Sequence, residues 1–275
     1  MDRIQKALDK AKAKQQANVG IPQDTKKQEK VSVVKEVPGK LTGISYTQTK
    51  IIKISEETLA SKHVIASQYS DPQSGVFRML RTQVLQKMRE NNWQTVAITS
   101  PTAGEGKSLV ASNLALAMAM ESNQTVLLVD LDLRNPRIND YYSLGADVGL
   151  KDYLEGDIEL TDVLINPGIQ GLVILPGKDR AEDSAELLSS KKMMSLASDL
   201  KAKYDSRMII FDMPPILQTD DVLLASKYID SILLVVEDGK NKEAELVKAV
   251  QLLDSNKLIG SVLNKSEKPP IHQSY

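Results

Sequence analysis

Cysteine is absent from the 275 residues. That excludes disulfides, thiolate metal centres and thiol nucleophiles, and it accords with a reducing cytoplasm. Histidine occurs only at His63 and His272, isolated and without ligand spacing, so imidazole-based metal or acid–base chemistry is not expected. Neither sign of charge dominates: 35 basic residues face 36 acidic ones, leaving no global field to draw nucleic acid or an anionic membrane. No run approaches the roughly 18 apolar residues of a membrane-spanning helix, and Met1 to Ala7 lacks the apolar core of a secretion signal. A soluble, cytoplasmic chain is the expectation. Its 41% hydrophobic content suffices for one α/β domain plus a tail.

Residues 1–16 put Ile4, Ala7, Leu8 and Ala11 on one helical face, ringed by Arg3, Lys6, Lys10 and Lys14. Such a short basic amphipathic stretch suits docking on a partner or on lipid headgroups, and equally a solvated tail. The polar, aperiodic segment from Gln15 to about Tyr46 reads as a linker, so the chain divides into a flexible N-terminal extension, 1–50, and a domain, 51–275. Asp71-Pro72 opens a helix with Phe77, Leu80, Val84 and Met88 at helical spacing. Short apolar runs at 95–99, 125–129, 172–175, 208–211, 231–236 and 258–263 then alternate with helical stretches at 108–120, 184–204 and 242–253. This alternation predicts a mostly parallel, doubly wound sheet flanked by helices.

Three segments carry chemistry. Ser100-Pro101-Thr102-Ala103-Gly104-Glu105-Gly106-Lys107-Ser108, between a strand and a helix, is a phosphate-binding loop. Its glycines let successive N–H groups face phosphate oxygens, Lys107 reaches the β- and γ-phosphates, Ser108 is a magnesium ligand, and Leu109 opens the helix. Asp130 and Asp132 end one apolar run and Asp212 ends another, as expected where buried strands emerge at the carboxyl edge of a sheet. Residues two apart on a strand share a side, so Asp130 and Asp132 can face one metal; solvated turn residues are the plain alternative. Asn264, closing the last run, suits either a purine edge or a turn. Arg134 suits a phosphate, a neighbouring subunit or a surface ion pair. Tyr141-Tyr142 suit phosphorylation or loop packing.

With Pro101–Ser108, Asp130-Leu131-Asp132-Leu133-Arg134 and Asp212-Met213-Pro214-Pro215 in place, the chain resembles the bacterial tyrosine kinases of exopolysaccharide and capsule assembly, from about residue 75 to 264. Asp2 to Leu8 also resembles the subgroup found with exopolysaccharide loci. The resemblance implies a P-loop NTPase fold with ATP bound by residues 102–109, among them Thr102, Ala103, Gly104, Glu105 and Gly106. It implies Mg2+ on Ser108, Asp132 and Asp212, with Lys107, Asp132 and Asp130 catalytic. The reaction implied is transfer of the γ-phosphoryl group of ATP to tyrosine, regulating polysaccharide polymerisation and export. It implies as partners further copies of the chain and a membrane-embedded chain-length determinant (a polysaccharide co-polymerase), which would hold the chain at the inner face of the membrane. Nucleic acid is not among the partners expected. The family's C-terminal tyrosine cluster is reduced here to Tyr275, the candidate acceptor, and Gly75 stands where its assembly motif has glutamate.

Two other functions fit the same fold. A switch ATPase of the cell-division or plasmid-partition type carries a signature lysine at the start of the loop, where this chain has Thr102. A nucleotide-dependent regulator of a polysaccharide assembly complex, with little phosphotransfer of its own, accords with the lone terminal tyrosine.

Overall fold

The computed structural model describes residues 49–122, 124–202 and 207–267. The amphipathic stretch at 1–16, the linker to residue 46, His272 and Tyr275 lie outside them. The elements run β1 (Lys50–Ile51), α1 (Glu56–Ser61), α2 (Pro72–Glu90), β2 (Thr95–Thr99), α3 (Lys107–Ala119), β3 (Thr125–Asp130), α4 (Ile138–Tyr141), α5 (Leu150–Glu155), α6 (Leu160–Val163), β4 (Ile165–Asn166), β5 (Leu172–Leu175), α7 (Ser184–Ser189), α8 (Lys191–Ala202), β6 (Arg207–Asp212), α9 (Asp221–Ala225), β7 (Ser231–Glu237), α10 (Glu243–Leu252) and β8 (Leu258–Asn264).

The strands form one sheet in the order β1-β4-β5-β3-β6-β2-β7-β8, parallel throughout except between β4 and β5. Both faces are apolar because alternate residues of each central strand serve different cores. Val126 and Leu128 of β3 join Val84, Leu85 and Met88 of α2 and the buried length of α3. Leu127 and Val129 face Met193, Leu196 and Leu200 of α8 instead. Helix α3 is buried all round, Leu109 apart, which its Ala-rich sequence permits. Asp71 caps α2 by accepting a hydrogen bond from the Gln73 amide, with Pro72 in the first turn.

The anticipated strands and the sheet class are present, with boundaries shifted by a residue or two. One expectation fails: the helix expected over 184–204 is two helices, α7 and α8. Ser190 is extended between them, and its hydroxyl accepts from the Met193 amide, starting a new helix rather than continuing the old one. The two-residue strands β1 and β4 were too short to show in the sequence.

Candidate active site

Strand register assembles the acids. Asp130 of β3 pairs with Asp212 of β6, and Asp212 pairs with Ile98 of β2, two residues before the phosphate loop begins at Ser100. Three strand ends thus meet at the carboxyl edge of the sheet, where open α/β folds bind ligands. Lys107, the first residue of α3, sends its ammonium 2.6 Å from Asp132 Oδ2, 3.8 Å from Asp212 Oδ1 and 3.2 Å from Ser108 Oγ. The expected convergence of Lys107, Ser108, Asp132 and Asp212 is present.

The site's electrostatics follow from burying several acids beside one lysine. Burial lowers the Lys107 pKa, but Asp212 and Asp132 outweigh it and hold the ammonium above the ordinary lysine value. Burial, reinforced by the charge of Asp212, pushes Asp130 up to about 8. Burial, opposed by Lys107, pushes Asp212 up to about 6. Asp130 Oδ2 accepts from the amides of Arg137 and Ile138, both at 2.9 Å, so Asp130 holds the loop leading into α4. Both Asp212 oxygens are buried without a hydrogen-bond partner. Next to Ser108 and Asp132, such orphaned oxygens suit a small, hard cation. Among the described residues no group of three or more His, Cys, Asp or Glu is placed to hold a metal ion. Magnesium does not require one, because it keeps several waters and binds through one or two carboxylates plus phosphate.

The loop itself is cross-braced. Gly104 and Gly106 adopt φ of 79° and 92°, and a Cβ on Gly106 would lie 2.1 Å from Asn264 Nδ2, so position 106 has room only for glycine. Asn264 donates to the Glu105 carbonyl at 2.8 Å. The Glu105 side chain turns away from the phosphate side and is fully buried. It accepts from the Thr102 amide and hydroxyl, both at 2.6 Å, from Asn241 at 3.0 Å and from the Glu237 amide at 3.1 Å. Lys240 and Lys265 donate to the carbonyls of Ala103 and Gly104.

A cleft of about 990 Å³ lies over this loop. Of the residues named from sequence, Ala103, Gly104, Gly106, Lys107, Ser108, Leu109, Asp132 and Asn264 line it. Thr102 and Glu105 face the brace, and Asp130 and Asp212 sit deeper, fully buried. Arg134 also lines the cleft, but its guanidinium is engaged by the buried Asp221 at 3.1 and 3.3 Å, the ion-pair reading. Sequence reasoning missed Lys62, Arg137 and Lys265 at the cleft wall, where Tyr141, singled out for phosphorylation or loop packing, also stands. No motif marks Lys62; it arrives because buried Asn113 of α3 accepts from the amides of Ile65 and Ala66 and donates to the His63 carbonyl. Tyr142 is buried, its hydroxyl donating to the Ser112 carbonyl, and is a packing residue.

The AAA-domain family profile matches residues 93–259. The tyrosine-protein kinase YwqD of Bacillus subtilis (strain 168) is 34% identical over 201 residues, spanning 72% of this chain and 83% of YwqD. The kinase domain of the Escherichia coli tyrosine kinase ETK superposes with a TM-score of 0.68 at 27% identity, covering 82% of this chain and 94% of that domain. The septum site-determining protein MinD of Pyrococcus horikoshii, solved with Mg-ADP, follows at a TM-score of 0.53 and 26% identity, covering 63% of this chain and 72% of MinD. MinD shares the fold over a smaller part of the chain; the ETK kinase domain shares it over nearly the whole described domain. The chain belongs to the bacterial tyrosine-protein kinases, built on the P-loop NTPase fold.

Proposed function

We propose that this chain transfers the γ-phosphoryl group of ATP to protein tyrosine, its own copies included, and thereby regulates exopolysaccharide or capsule polymerisation and export. The observation carrying this reading is the meeting of Lys107, Ser108, Asp132 and Asp212 under one cleft at the end of β2, β3 and β6. The loop amides and Lys107 hold the phosphates, and the loop braces spare the site any reorganisation during reaction. Ser108, Asp132 and Asp212 would hold Mg2+, which when bound neutralises charge on the transferring phosphoryl group. A phenol with pKa about 10 is a weak nucleophile at neutral pH, so a carboxylate beside the hydroxyl assists, and Asp132 takes that role. In the structure Asp132 is paired with Lys107. When phosphate oxygens become the partners of Lys107, Asp132 is released for the incoming hydroxyl. Asp130 acts at one remove, by holding the loop that follows Asp132. Asn264 spends its amide nitrogen on the loop, which leaves Oδ1 for the exocyclic amine of adenine.

The partner we propose is a membrane-embedded chain-length protein whose cytoplasmic end activates the kinase, holding it at the inner face of the membrane. Tyr275 is proposed as one acceptor. The test is incubation with labelled ATP and magnesium, followed by phosphotyrosine mapping, with Lys107→Met and Asp132→Asn as controls. Label on tyrosine that vanishes in both controls is the expected result. Hydrolysis without protein label would move the assignment to a switch ATPase or a regulator.

A further inference from the structure

We propose that Tyr69 is a phosphoacceptor of this enzyme, a modification site at the entrance to α2; the inference rests on the kinase reading above. An acceptor phenol must leave its own surroundings and enter a cleft whose reactive groups are themselves buried. Among the described tyrosines, that condition separates one from the rest. Tyr142 and Tyr228 are buried with their hydroxyls donating to the carbonyls of Ser112 and Leu188, so either would need local unfolding to react. Tyr141 and Tyr153 are half-buried. Tyr69 is 76% exposed.

Its backbone setting suits presentation. Tyr69 lies in a turn pinned at both ends. Upstream, Asn113 accepts from the amides of Ile65 and Ala66; downstream, the Asp71 amide donates to the Gln68 carbonyl and the Asp71 side chain caps α2. The phenol therefore projects from a fixed platform and pays little ordering entropy on entering a second protein's cleft.

The product also has a counter-charge in place. The Arg78 guanidinium lies over the Tyr69 ring, 4.9 Å from its centroid, and is oriented by a 2.7 Å bond from Nη1 to Ser74 Oγ. Phosphorylation adds about −1.5 to −2 charges and three strong acceptor oxygens beside that cation. A cation–π contact is thereby converted into a charge-assisted pair. In the transfer, Tyr69 Oη forms the new O–P bond while the bond from the γ-phosphorus to the β,γ-bridging oxygen breaks. ADP leaves with that electron pair, and the phenolic proton passes to the carboxylate of Asp132 in the active site and on to water.

The experiment incubates full-length chain with MgATP and maps phosphotyrosine by peptide mass spectrometry, in the wild type, in Tyr69→Phe and in Lys107→Met. The expected result is phosphate on the Tyr69 peptide of the wild type, none in Lys107→Met, and in Tyr69→Phe a loss of that peptide's label with ATP hydrolysis unchanged. Because Phe keeps the ring under Arg78, the variant folds as the parent does. Phosphate on Tyr275, Tyr141 or any other tyrosine with Tyr69 unmodified overturns this inference and leaves the kinase reading standing. Absence of label from every tyrosine overturns both.

Discussion

Glu105 separates two roles that a loop acid can have, contact with nucleotide or support of the loop, and the structure makes the difference measurable. Its carboxylate accepts four hydrogen bonds, from Thr102 N, Thr102 Oγ1, Asn241 Nδ2 and the Glu237 amide, in a position with no solvent exposure. In Glu105→Gln the amide oxygen can still serve Thr102 and Asn241, but its NH2 then faces the Glu237 N–H, donor against donor. One backbone donor loses its acceptor, and the remaining bonds lose the charge that strengthened them. Hydrogen bonds to charged groups contribute about 1.5–3 kcal/mol, and an orphaned buried donor costs about 1–3 kcal/mol, so the net destabilisation is about 3 kcal/mol. For a domain of this size that is a fall in Tm of roughly 6–12 °C. Thermal denaturation followed by circular dichroism, without nucleotide, reads it directly. A variant that unfolds at the parental temperature but loses phosphotransfer would refute the brace and return Glu105 to the nucleotide side.

Three further outcomes follow from the same geometry. Gly106→Ala, which combines a φ of 92° with a Cβ 2.1 Å from Asn264 Nδ2, should lower affinity for a fluorescent ATP analogue by more than tenfold, and adding Asn264→Ala should recover only part of that, because the backbone strain stays. Asp212→Asn removes a buried carboxylate with neither oxygen hydrogen-bonded, but also one of the charges facing Lys107, and should weaken the stabilisation given by MgADP; equal ΔTm on MgADP addition in parent and variant would argue against a cation at Asp212. Asp230 is opposed by burial, but Lys201 at 2.6 Å and the amides of Gln94 and Thr95 outweigh this and hold its pKa below the ordinary carboxylate value. Its contribution is therefore present above the unfolded-state pKa of about 3.9 and is lost as pH falls through the lower folded value, so Asp230→Asn should flatten the acid limb of a Tm-against-pH profile.

What could be read from the chain was whatever is local. The lysine and serine of the loop, and the acids at the ends of apolar runs, declared themselves because spacing fixes their place on a strand end or a helix start. The parallel sheet was legible for the same reason, since strand and helix periods alternate along the chain. Non-local pairing was not legible. That β6 inserts between β3 and β2, bringing Asp212 beside Asp130, depends on how segments roughly 80 residues apart pair across the sheet. Arg134 was ambiguous because its partner, Asp221, lies 87 residues downstream, and Lys62 was invisible because a helix asparagine 51 positions on tethers its neighbours. Glu105 was read as a nucleotide contact from its place in the motif; only the positions of Asn241 and Glu237 reveal the inward turn. The break at Ser190 was a local signal outweighed by the apolar helical periodicity around it.

Several departures from ordinary folding logic gather under the cleft. Elsewhere Asp71 caps α2, the central strands β3 and β6 are apolar on both faces, and Asp230 is paired with Lys201. Under the cleft the structure holds Asp130, Asp132 and Asp212 beside Lys107, two glycines at positive φ, and a carboxylate with neither oxygen hydrogen-bonded. Each of these lowers stability by itself, and a core optimised only for stability would replace Asp212 with an apolar residue. The arrangement is coherent once a polyanion and a cation are counted as its missing partners. On the proposed function, phosphate oxygens would supply Lys107 and the loop amides, and a divalent ion would supply Asp212 and Asp132. The 2.6 Å Lys107–Asp132 pair is then a resting contact: on the proposed function, nucleotide would take Lys107 as its partner and release Asp132 from the ammonium for metal contact or for the phenolic proton.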